Sequence, residues 1–182
     1  MNHIGTKVIE TERLILRKFE INDTDFMYNN WANDDEVTKY ITWPSHKDIE
    51  VSRSFISEIV RGYDSDSKYE WAIELKENGE VIGDISAPRV FDNIETVEIG
   101  YVLGRKYWNR GVVTEALNSI IKFFFDEVGV NRIEAKYDTC NPASGEVMKK
   151  CGMKFEGILR QAGKNNTGIC DLAVYSILKG DM

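Results

Sequence analysis

The stretch ETVEIGYVLGRKYWNRGVVTEALNSIIKFFFDEVG, residues 95–129, decides the fold of this 182-residue chain. From 95 to 103, apolar side chains alternate with polar or small ones, which is the period of a strand. Between Gly111 and Val128 they recur every three or four residues, and Gly129 follows as a helix-ending glycine. The stretch therefore predicts a strand, a turn and an amphipathic helix in direct succession.

The turn within this stretch, residues 103–114, is basic and contains Gly104 and Gly111. The first amide groups of a helix have no partner within the helix, and the helix dipole favours negative charge at that end. The turn is thus a candidate anion site. The alternative is an ordinary connection in which Arg105, Lys106 and Arg110 are solvated.

The other strands and helices are predicted from the same two periods and from turn signals. Strand patterns occupy residues 14–16, 71–75, 81–86, 133–137, 154–159 and 169–178, with Asn78-Gly79 as a type I′ turn. Helical signals fill residues 23–62, with Asn22 to Asp25 and Ser45 as N-caps, and residues 142–151 after Asn141. The expected fold class is α/β or α+β, with one domain over residues 1–182, a mixed sheet of about six to seven strands, and helices on both faces.

Composition and charge disfavour several classes of protein. The net charge of −7 makes nucleic acid an unexpected partner, whereas a cationic amine or basic peptide would be attracted. No metal is expected, because His3 and His46 are far apart and the cysteines lack metal-site spacing. Cys140, Cys151 and Cys170 are expected to be buried reduced thiols. Without a signal pattern or a run of about 18 apolar residues, the sequence predicts a cytoplasmic protein with no membrane partner.

Two common phosphate-binding motifs are absent from the sequence. A Walker A loop has four residues between its glycines and then Lys followed by Ser or Thr, but the segment from Gly157 to Gly163 encloses five. A G-x-G-x-x-G dinucleotide motif is also missing. The sequence therefore gives no support to a nucleotide triphosphatase or an NAD-dependent enzyme.

Three motifs, EIGYVL (98–103), YWNRGVVTEA (107–116) and NPAS (141–144), resemble the GNAT superfamily of N-acetyltransferases in sequence and order. ERLILR (12–17) and CGMKFEG (151–157) resemble its branch that acetylates the N-terminal alanine or serine of ribosomal proteins. The resemblance covers nearly the whole chain. It implies acetyl-CoA as co-substrate, a primary amine as acceptor, and a fourth strand that splays away from its neighbour.

The resemblance also implies where acetyl-CoA binds. The backbone of Tyr101, Val102 and Leu103 would pair with pantetheine. Asn141 would contact pantetheine as well, and the alternative for Asn141 is that it only caps its helix. The pyrophosphate would meet the amides of the turn, and the positions concerned are Trp108, Asn109, Arg110, Gly111, Val112, Val113 and Thr114. The family pattern Q/R-x-x-G-x-G/A is incomplete, because Trp108 and Val113 occupy its first and last positions.

Two residues are candidates for catalysis. Glu98 is a candidate general base, because it shares a strand face with Gly100, and the alternative is a solvated carboxylate. Many GNAT enzymes protonate the leaving thiolate with a tyrosine, but Met148 occupies the matching position and cannot donate a proton. The resemblance makes Ser144 the substitute, and the alternative for Ser144 is a helix-start residue.

The acceptor is predicted only as a class. An α-amine has a pKa of about 7.7 to 8.0 against about 10.4 for lysine, so a protein N-terminus needs little help before it attacks the thioester directly. The alternatives are a small amine such as a polyamine or aminoglycoside, or a non-catalytic module that binds acetyl-CoA. Residues 31–61 and 161–167 are expected to recognise the acceptor, and both a monomer and a homodimer stay open.

Overall fold

The computed structural model describes residues 1–181, which build one mixed sheet in the order β1-β2-β3-β4-β5-β6-β8-β7. The strands are β1 Ile9–Glu10, β2 Leu14–Arg17, β3 Glu70–Leu75, β4 Val81–Phe91, β5 Thr96–Leu103, β6 Arg132–Asp138, β7 Lys154–Asn165 and β8 Gly168–Leu178. The strand count is eight, one more than the upper end of the prediction. The missed strand is β1, whose two residues are too few to show an alternating pattern.

Helices cover both faces of the sheet, as the sequence predicts, and within residues 1–181 there are five α-helices. They are α1 Thr24–Met27, α2 Asp35–Thr38, α3 Ile49–Gly62, α4 Val112–Phe123 and α5 Pro142–Lys150. On one face, α4 packs Leu117 and Ile120 against Val97 and Ile99 of β5. On the other, residues of the α1 to α3 region such as Trp31 and Ile56 pack against Ala72, Val81 and Val102. The predicted strand faces of 95–103 are thus confirmed.

Three local predictions are wrong in detail. Ser45 does not cap α3: the carboxylate of Asp48 accepts from the first-turn amides, because Asp48 is the extended residue directly before the helix. Asn22 to Asp25 do mark the start of α1, with Asp23 at the N-cap position, but the Asp23 carboxylate accepts from the Glu20 amide of a preceding 3-10 turn and makes no capping bond to α1. The β3–β4 turn is not type I′, since only Gly79 has a positive φ, and a type I′ turn needs two such residues.

The end of α4 also differs from a regular helix. The predicted helix to Val128 is α-helical only to Phe123 and closes in a π-helical turn, Phe124–Val128. Gly129 then adopts φ 75°, as a helix-ending glycine does. Trp71 and Phe124 are fully buried beside this turn and stack edge-on, so the aromatic residues here fill the core.

Strands β5 and β6 diverge, and this opens the sheet. They are its one parallel pair in the described chain, and they pair only from Thr96 to Ile99 of β5. Beyond that point β5 continues to Leu103 with β4 as its only partner, while β6 continues to Asp138 with β8. The predicted splayed strand is confirmed, and it is the fifth strand because of β1.

An ion pair ties together the last strands of the sheet. Glu156 of β7 accepts two hydrogen bonds of 2.6 Å from Arg132 of β6 and one of 2.7 Å from Ser176 of β8. The guanidinium of Arg132, and then the Ser176 hydroxyl, lower the pKa of Glu156 to about 2. The three strands therefore depend in part on a carboxylate that stays charged.

This carboxylate predicts a pH dependence of stability. A lowered pKa in the folded state stabilises the fold above the ordinary glutamate pKa, and the effect is lost as the pH falls from about 4.5 towards about 2. Because Glu156 is exposed, we expect Glu156→Gln to remove only about 1 to 4 °C of the Tm difference between pH 7 and pH 3. Thermal unfolding at both pH values measures it. The exposed Glu58→Gln is the control, and an equal effect of both substitutions would contradict the assignment.

Candidate active site

The opening between β5 and β6 leads into a cleft with a volume of about 1020 Å³. The cleft runs from the divergent strand ends past the turn before α4 and reaches the start of α5. All but one of the predicted site residues line it: Tyr101, Val102, Leu103, Trp108, Asn109, Arg110, Gly111, Val112, Val113, Thr114, Asn141 and Ser144. Residues from three separate chain segments are thus brought together around one space.

The end of β5 supplies an unpaired strand edge. Because β6 leaves at Ile99, the edge of residues 100–103 that faces away from β4 has no strand beside it. The Leu103 carbonyl is an exception to the predicted free backbone, since it accepts a hydrogen bond of 2.8 Å from the indole of Trp108. Trp108 thus braces the strand end against the turn. The open edge is left to Tyr101, because strand groups alternate sides and the Gly104 amide donates to Ile82 of β4, so that the backbone of Val102 also faces β4.

The turn before α4 is shaped by two left-handed residues. Asn109 has φ 61° and Gly111 has φ 73°. Gly111 is the N-cap residue of α4, and no side chain caps the helix. The amides of the first helical turn, from Val112 onwards, therefore point out of the helix into the cleft without a protein partner. Such a terminus binds anions, as the sequence predicts for this turn.

A network of hydrogen bonds fixes this turn to the first strands. Glu115 accepts from the Arg13 guanidinium at 2.7 Å and from the Thr11 hydroxyl at 2.6 Å. Arg13 in turn donates to the Arg110 carbonyl at 3.0 Å. The three side chains hold the backbone of the turn in one conformation, which favours anion binding because little order has to be gained.

The basic side chains of the turn are not equivalent. Arg105 pairs with Asp34 at 3.0 Å and so belongs to the contact between the turn and α2. Arg110 lies over the ring of Tyr107, and its side chain lines the cleft. Of these two arginines, Arg110 is therefore the one placed to add positive charge beside a bound phosphate.

At the start of α5, Asn141 and Ser144 face the end of β5. The Asn141 amide donates to the Ser144 hydroxyl at 3.2 Å and makes no capping bond to its helix, so the alternative of a pure cap is wrong. The Tyr101 hydroxyl donates to the Ser144 carbonyl at 2.9 Å. Burial raises the pKa of Tyr101, which keeps this phenol neutral and able to donate. Ser144 is thereby held between strand and helix.

Glu98 lies apart from this group. Its carboxylate is paired with Lys136 at 2.6 Å and with Arg89 at 3.5 Å, and its side chain is 14% exposed. Within residues 1–181 it is not among those that line the cleft. It shares the strand face of Gly100, as predicted, but its partner Lys136 is the residue of this pair that lines the cleft. Its role as general base stays a prediction.

The far half of the cleft contains residues that were not predicted one by one, although two of them lie in the segment 31–61 that is expected to recognise the acceptor. Trp43 and Phe55 form an aromatic wall, with ring centroids 5.8 Å apart. Glu70 and Asp84, from β3 and β4, supply two carboxylates opposite this wall. One signal in the sequence was available: Asp84 is a single charge inside the otherwise apolar or small segment VIGDISA (81–87).

The two segments expected to recognise the acceptor meet at Asn166, in the β7–β8 turn. Its side-chain amide donates to the carbonyls of Thr38 and Trp43 at 2.8 Å each. These bonds join the tip of the hairpin to the irregular segment 39–48, which brings Trp43 into the cleft wall. The conformation of that wall therefore depends on Asn166.

We expect Asn166→Ala to raise the KM for the acceptor about three- to tenfold, because two hydrogen bonds of about 1 kcal/mol each are lost from the wall. The Kd for the donor should stay unchanged, since Asn166 does not line the half of the cleft near α4. Steady-state kinetics and calorimetry measure the two quantities. Asn131→Ala, in an exposed turn, is the control. An unchanged acceptor KM would contradict the anchoring role.

The thiols, metals and membrane spans can be assessed for the described residues. Cys151 is buried, and burial raises its pKa to about 12, but Cys140 is exposed and Cys170 only half-buried, so the prediction of three buried thiols is wrong. Residues 1–181 contain no cluster of His, Cys, Asp and Glu that could hold a metal ion. In the same range, no helix is long and apolar enough to cross a membrane.

Comparison with known proteins gives consistent matches. The family model of the acetyltransferase (GNAT) domain matches residues 13–154. The chain is 34% identical over 173 residues to the uncharacterized N-acetyltransferase p20 of Bacillus licheniformis, covering 95% of this chain and 97% of that protein. A crystal structure of a GNAT-family acetyltransferase from Bacillus anthracis superposes with a TM-score of 0.84 and 29% identity, covering 96% and 99% of the two chains.

A more distant match concerns a protein whose name states its substrate. The ribosomal-protein-serine acetyltransferase of Escherichia coli is 32% identical over 97 residues, which cover 53% of this chain and 54% of that protein. The name of this protein is relevant only to the acceptor, because the matches to the GNAT domain do not depend on it.

Proposed function

The chain belongs to the GNAT family of acetyl-CoA-dependent N-acetyltransferases, and on that premise we propose that it acetylates the N-terminal amine of a protein. The donor, the enzyme class and an amine acceptor follow from the family. The assignment of the cleft residues and the choice of a protein N-terminus are our proposals. A direct attack of the amine on the thioester, with both substrates bound at once, is the mechanism that needs fewest protein groups.

One observation carries the proposal: a single cleft has two chemically different halves. The half near α4 has an open strand edge, at Tyr101, and the unpartnered amides that follow Gly111. These features fit a pantetheine amide chain and a pyrophosphate. The half near α3 has aromatic and carboxylate walls, which fit a cationic amine. The donor and acceptor halves meet at Gly100 and Tyr101.

Ser144 is the proposed proton donor to the leaving group. When bound, acetyl-CoA supplies the thioester whose sulfur leaves as a thiolate. The Ser144 hydroxyl lines the cleft beside the strand end, and Asn141 donates to its oxygen, so its own proton is free to be directed into the cleft. The buried Met148 cannot take this role, because a thioether has no proton to give.

Glu98 is the base predicted from the sequence, and Glu98→Gln tests it. A loss of the rising limb of kcat/KM against pH would support the role, because that limb reports deprotonation of the essential base in the free enzyme. An unchanged pH profile would remove Glu98 from the mechanism.

Two features support a protein N-terminus as the acceptor. The net charge of −7 attracts basic segments, such as those near the termini of nucleic-acid-binding proteins. The second support is the name of the Escherichia coli relative. A polyamine or aminoglycoside would be attracted by the same charge, so the acceptor has to be identified by experiment.

Free-thiol release measures the proposed activity. We expect release from acetyl-CoA to require an acceptor, and to be faster with short basic peptides that begin with serine or alanine than with spermidine or kanamycin. Peptides with the same sequence and an acetylated N-terminus are the control. Faster turnover with a small amine would show that the acceptor is a small amine and not a protein. Binding of acetyl-CoA with no thiol release for any acceptor would show that the chain is a binding module and not an enzyme.

A further inference from the structure

Asp84 is a carboxylate at the centre of the sheet, directly beside the strand proposed to hold the donor. The register places it opposite Ala72 of β3 and Val102 of β5. Neighbouring strands lie about 4.8 Å apart, so Asp84 is one strand spacing from β5, whose far edge is proposed to hold pantetheine. Its neighbour Ser86 is opposite Gly100, where the two halves of the cleft meet.

The Asp84 carboxylate lacks a partner. Within residues 1–181 it accepts no hydrogen bond and forms no ion pair, although the residue is half-buried and lines the cleft. Withdrawing a charged group from water without a partner costs free energy. Burial, and then the nearby Glu70, raise the pKa of Asp84 well above its ordinary value, while Lys68 opposes the shift. The site is therefore built for a cation or a proton.

The surrounding charged groups do not provide a partner for the Asp84 carboxylate. The Lys68 ammonium is in contact with the Glu70 carboxylate, so the one nearby cation is already paired within the described chain. Tyr63, at the end of α3, is the other titratable group that faces Asp84, and its hydroxyl donates to the Glu70 carbonyl. From β5 the facing residue is the apolar Val102. The Asp84 carboxyl group is therefore left without a protein partner among the described residues of the cleft.

We propose that Asp84 binds the ammonium group of the acceptor and removes its proton. The inference rests on the proposed acetyl transfer and names the residue that selects a cationic amine. Asp84 takes one proton from the ammonium, and the neutral nitrogen forms the C–N bond while the C–S bond of the thioester breaks. The second proton of the nitrogen ends on the thiolate, and Asp84 later returns its proton to water.

Asp84 and Glu98 compete for this role. Both side chains lie on the same face of the sheet as Gly100. Glu98 is two residues before Gly100 on β5, and Asp84 is opposite Val102, which is two residues after it. Glu98 already has two cationic partners, Lys136 and Arg89, whereas Asp84 has none. A carboxylate that has no cationic partner is better placed to bind the ammonium group of an acceptor than one that already has two.

The test measures amine binding rather than turnover. Titration calorimetry with saturating coenzyme A would use two probes, a basic tetrapeptide amide that begins with serine, and spermidine, against the acetylated peptide. We expect Asp84→Asn to weaken the better of the two free-amine probes at least tenfold and to leave the acetylated peptide unaffected. Asp64→Asn removes the same charge from an exposed turn and should change binding less than twofold.

Proton release gives a second readout that needs no variant. If a cation displaces the proton of Asp84, binding near pH 6 should release protons in the wild type, seen as heats that differ between buffers of different ionisation enthalpy. Normal amine binding by Asp84→Asn, or its loss in Glu98→Gln instead, would overturn the inference. Failure of both probes to bind the wild type would overturn it too, although acetyl transfer to another acceptor would still support the proposed function.

Discussion

Replacing Gly111 with valine is expected to weaken acetyl-CoA binding by roughly 100-fold. Gly111 has φ 73° and leads the chain into α4, so a β-branched residue would move the turn out of its left-handed conformation. The amides of the first helical turn would then miss the pyrophosphate. The loss of one or two charge-assisted hydrogen bonds, at about 1.5 to 3 kcal/mol each, corresponds to this change in Kd.

The same helix provides a matched control for this substitution. Gly129, at its other end, has φ 75°, and a Cβ there would meet no atom within 4 Å. Gly129→Val therefore introduces comparable backbone strain far from the cleft. Calorimetry of both variants separates strain from binding, and equal Kd values for Gly111→Val and Gly129→Val would contradict the role of the turn.

Removing the Ser144 hydroxyl is the second change with a large expected effect. We expect Ser144→Ala to lower kcat about 100-fold, the lower end for the loss of a general acid, and to leave the Kd for acetyl-CoA within twofold of the wild type. The fold should tolerate the change, because Tyr101 bonds to the Ser144 carbonyl and not to the side chain. Pre-steady-state thiol release measures the chemical step directly.

Ser119→Ala is the control for Ser144→Ala. Ser119 lies on α4, bonds only to the carbonyl of its own helix at 2.7 Å, and is not among the described residues that line the cleft. Its loss should leave kcat unchanged. If Ser144→Ala also turns over at the wild-type rate, the leaving thiolate takes its proton from water, and Ser144 is a helix-start residue only.

The donor half of the cleft could be predicted from the sequence because it is local. Strand β5, the turn and α4 follow one another over residues 96–123, so the change from period two to helical spacing already fixes their order. The splay of β5 was predicted from the resemblance. The hydrogen bond from the Trp108 indole to the Leu103 carbonyl could not be predicted, because the spacing of residues does not show where a side chain in a turn points.

The acceptor half could be predicted only as two chain segments, 31–61 and 161–167, because long-range contacts build it. Asn166 reaches Trp43 across 123 residues of sequence, and Asp84 enters the cleft only through the register of three strands. Such contacts depend on strand order, which one sequence does not reveal. The wrong N-cap at Ser45 has the same origin, because its hydroxyl is used by Asp35.

The two halves suggest how one fold serves a fixed donor and a variable acceptor. In the proposed site, backbone amides and a strand edge bind the donor, so substitutions such as Trp108 and Val113 in the family pattern would leave the site usable. Side chains such as Trp43 and Asp84 line the half proposed for the acceptor. Because side chains change more freely than backbone geometry, relatives that share the donor site can differ in their acceptors.

Mass spectrometry of a cell lysate can identify which amine the enzyme acetylates. The lysate would be incubated with isotope-labelled acetyl-CoA and either the wild-type enzyme or Gly111→Val, and both proteins and small molecules would be searched for the label. We expect label on the N-terminal amine of one or a few proteins with the wild type, and almost none with Gly111→Val. Label confined to small amines, or equal labelling by both enzymes, would contradict this expectation.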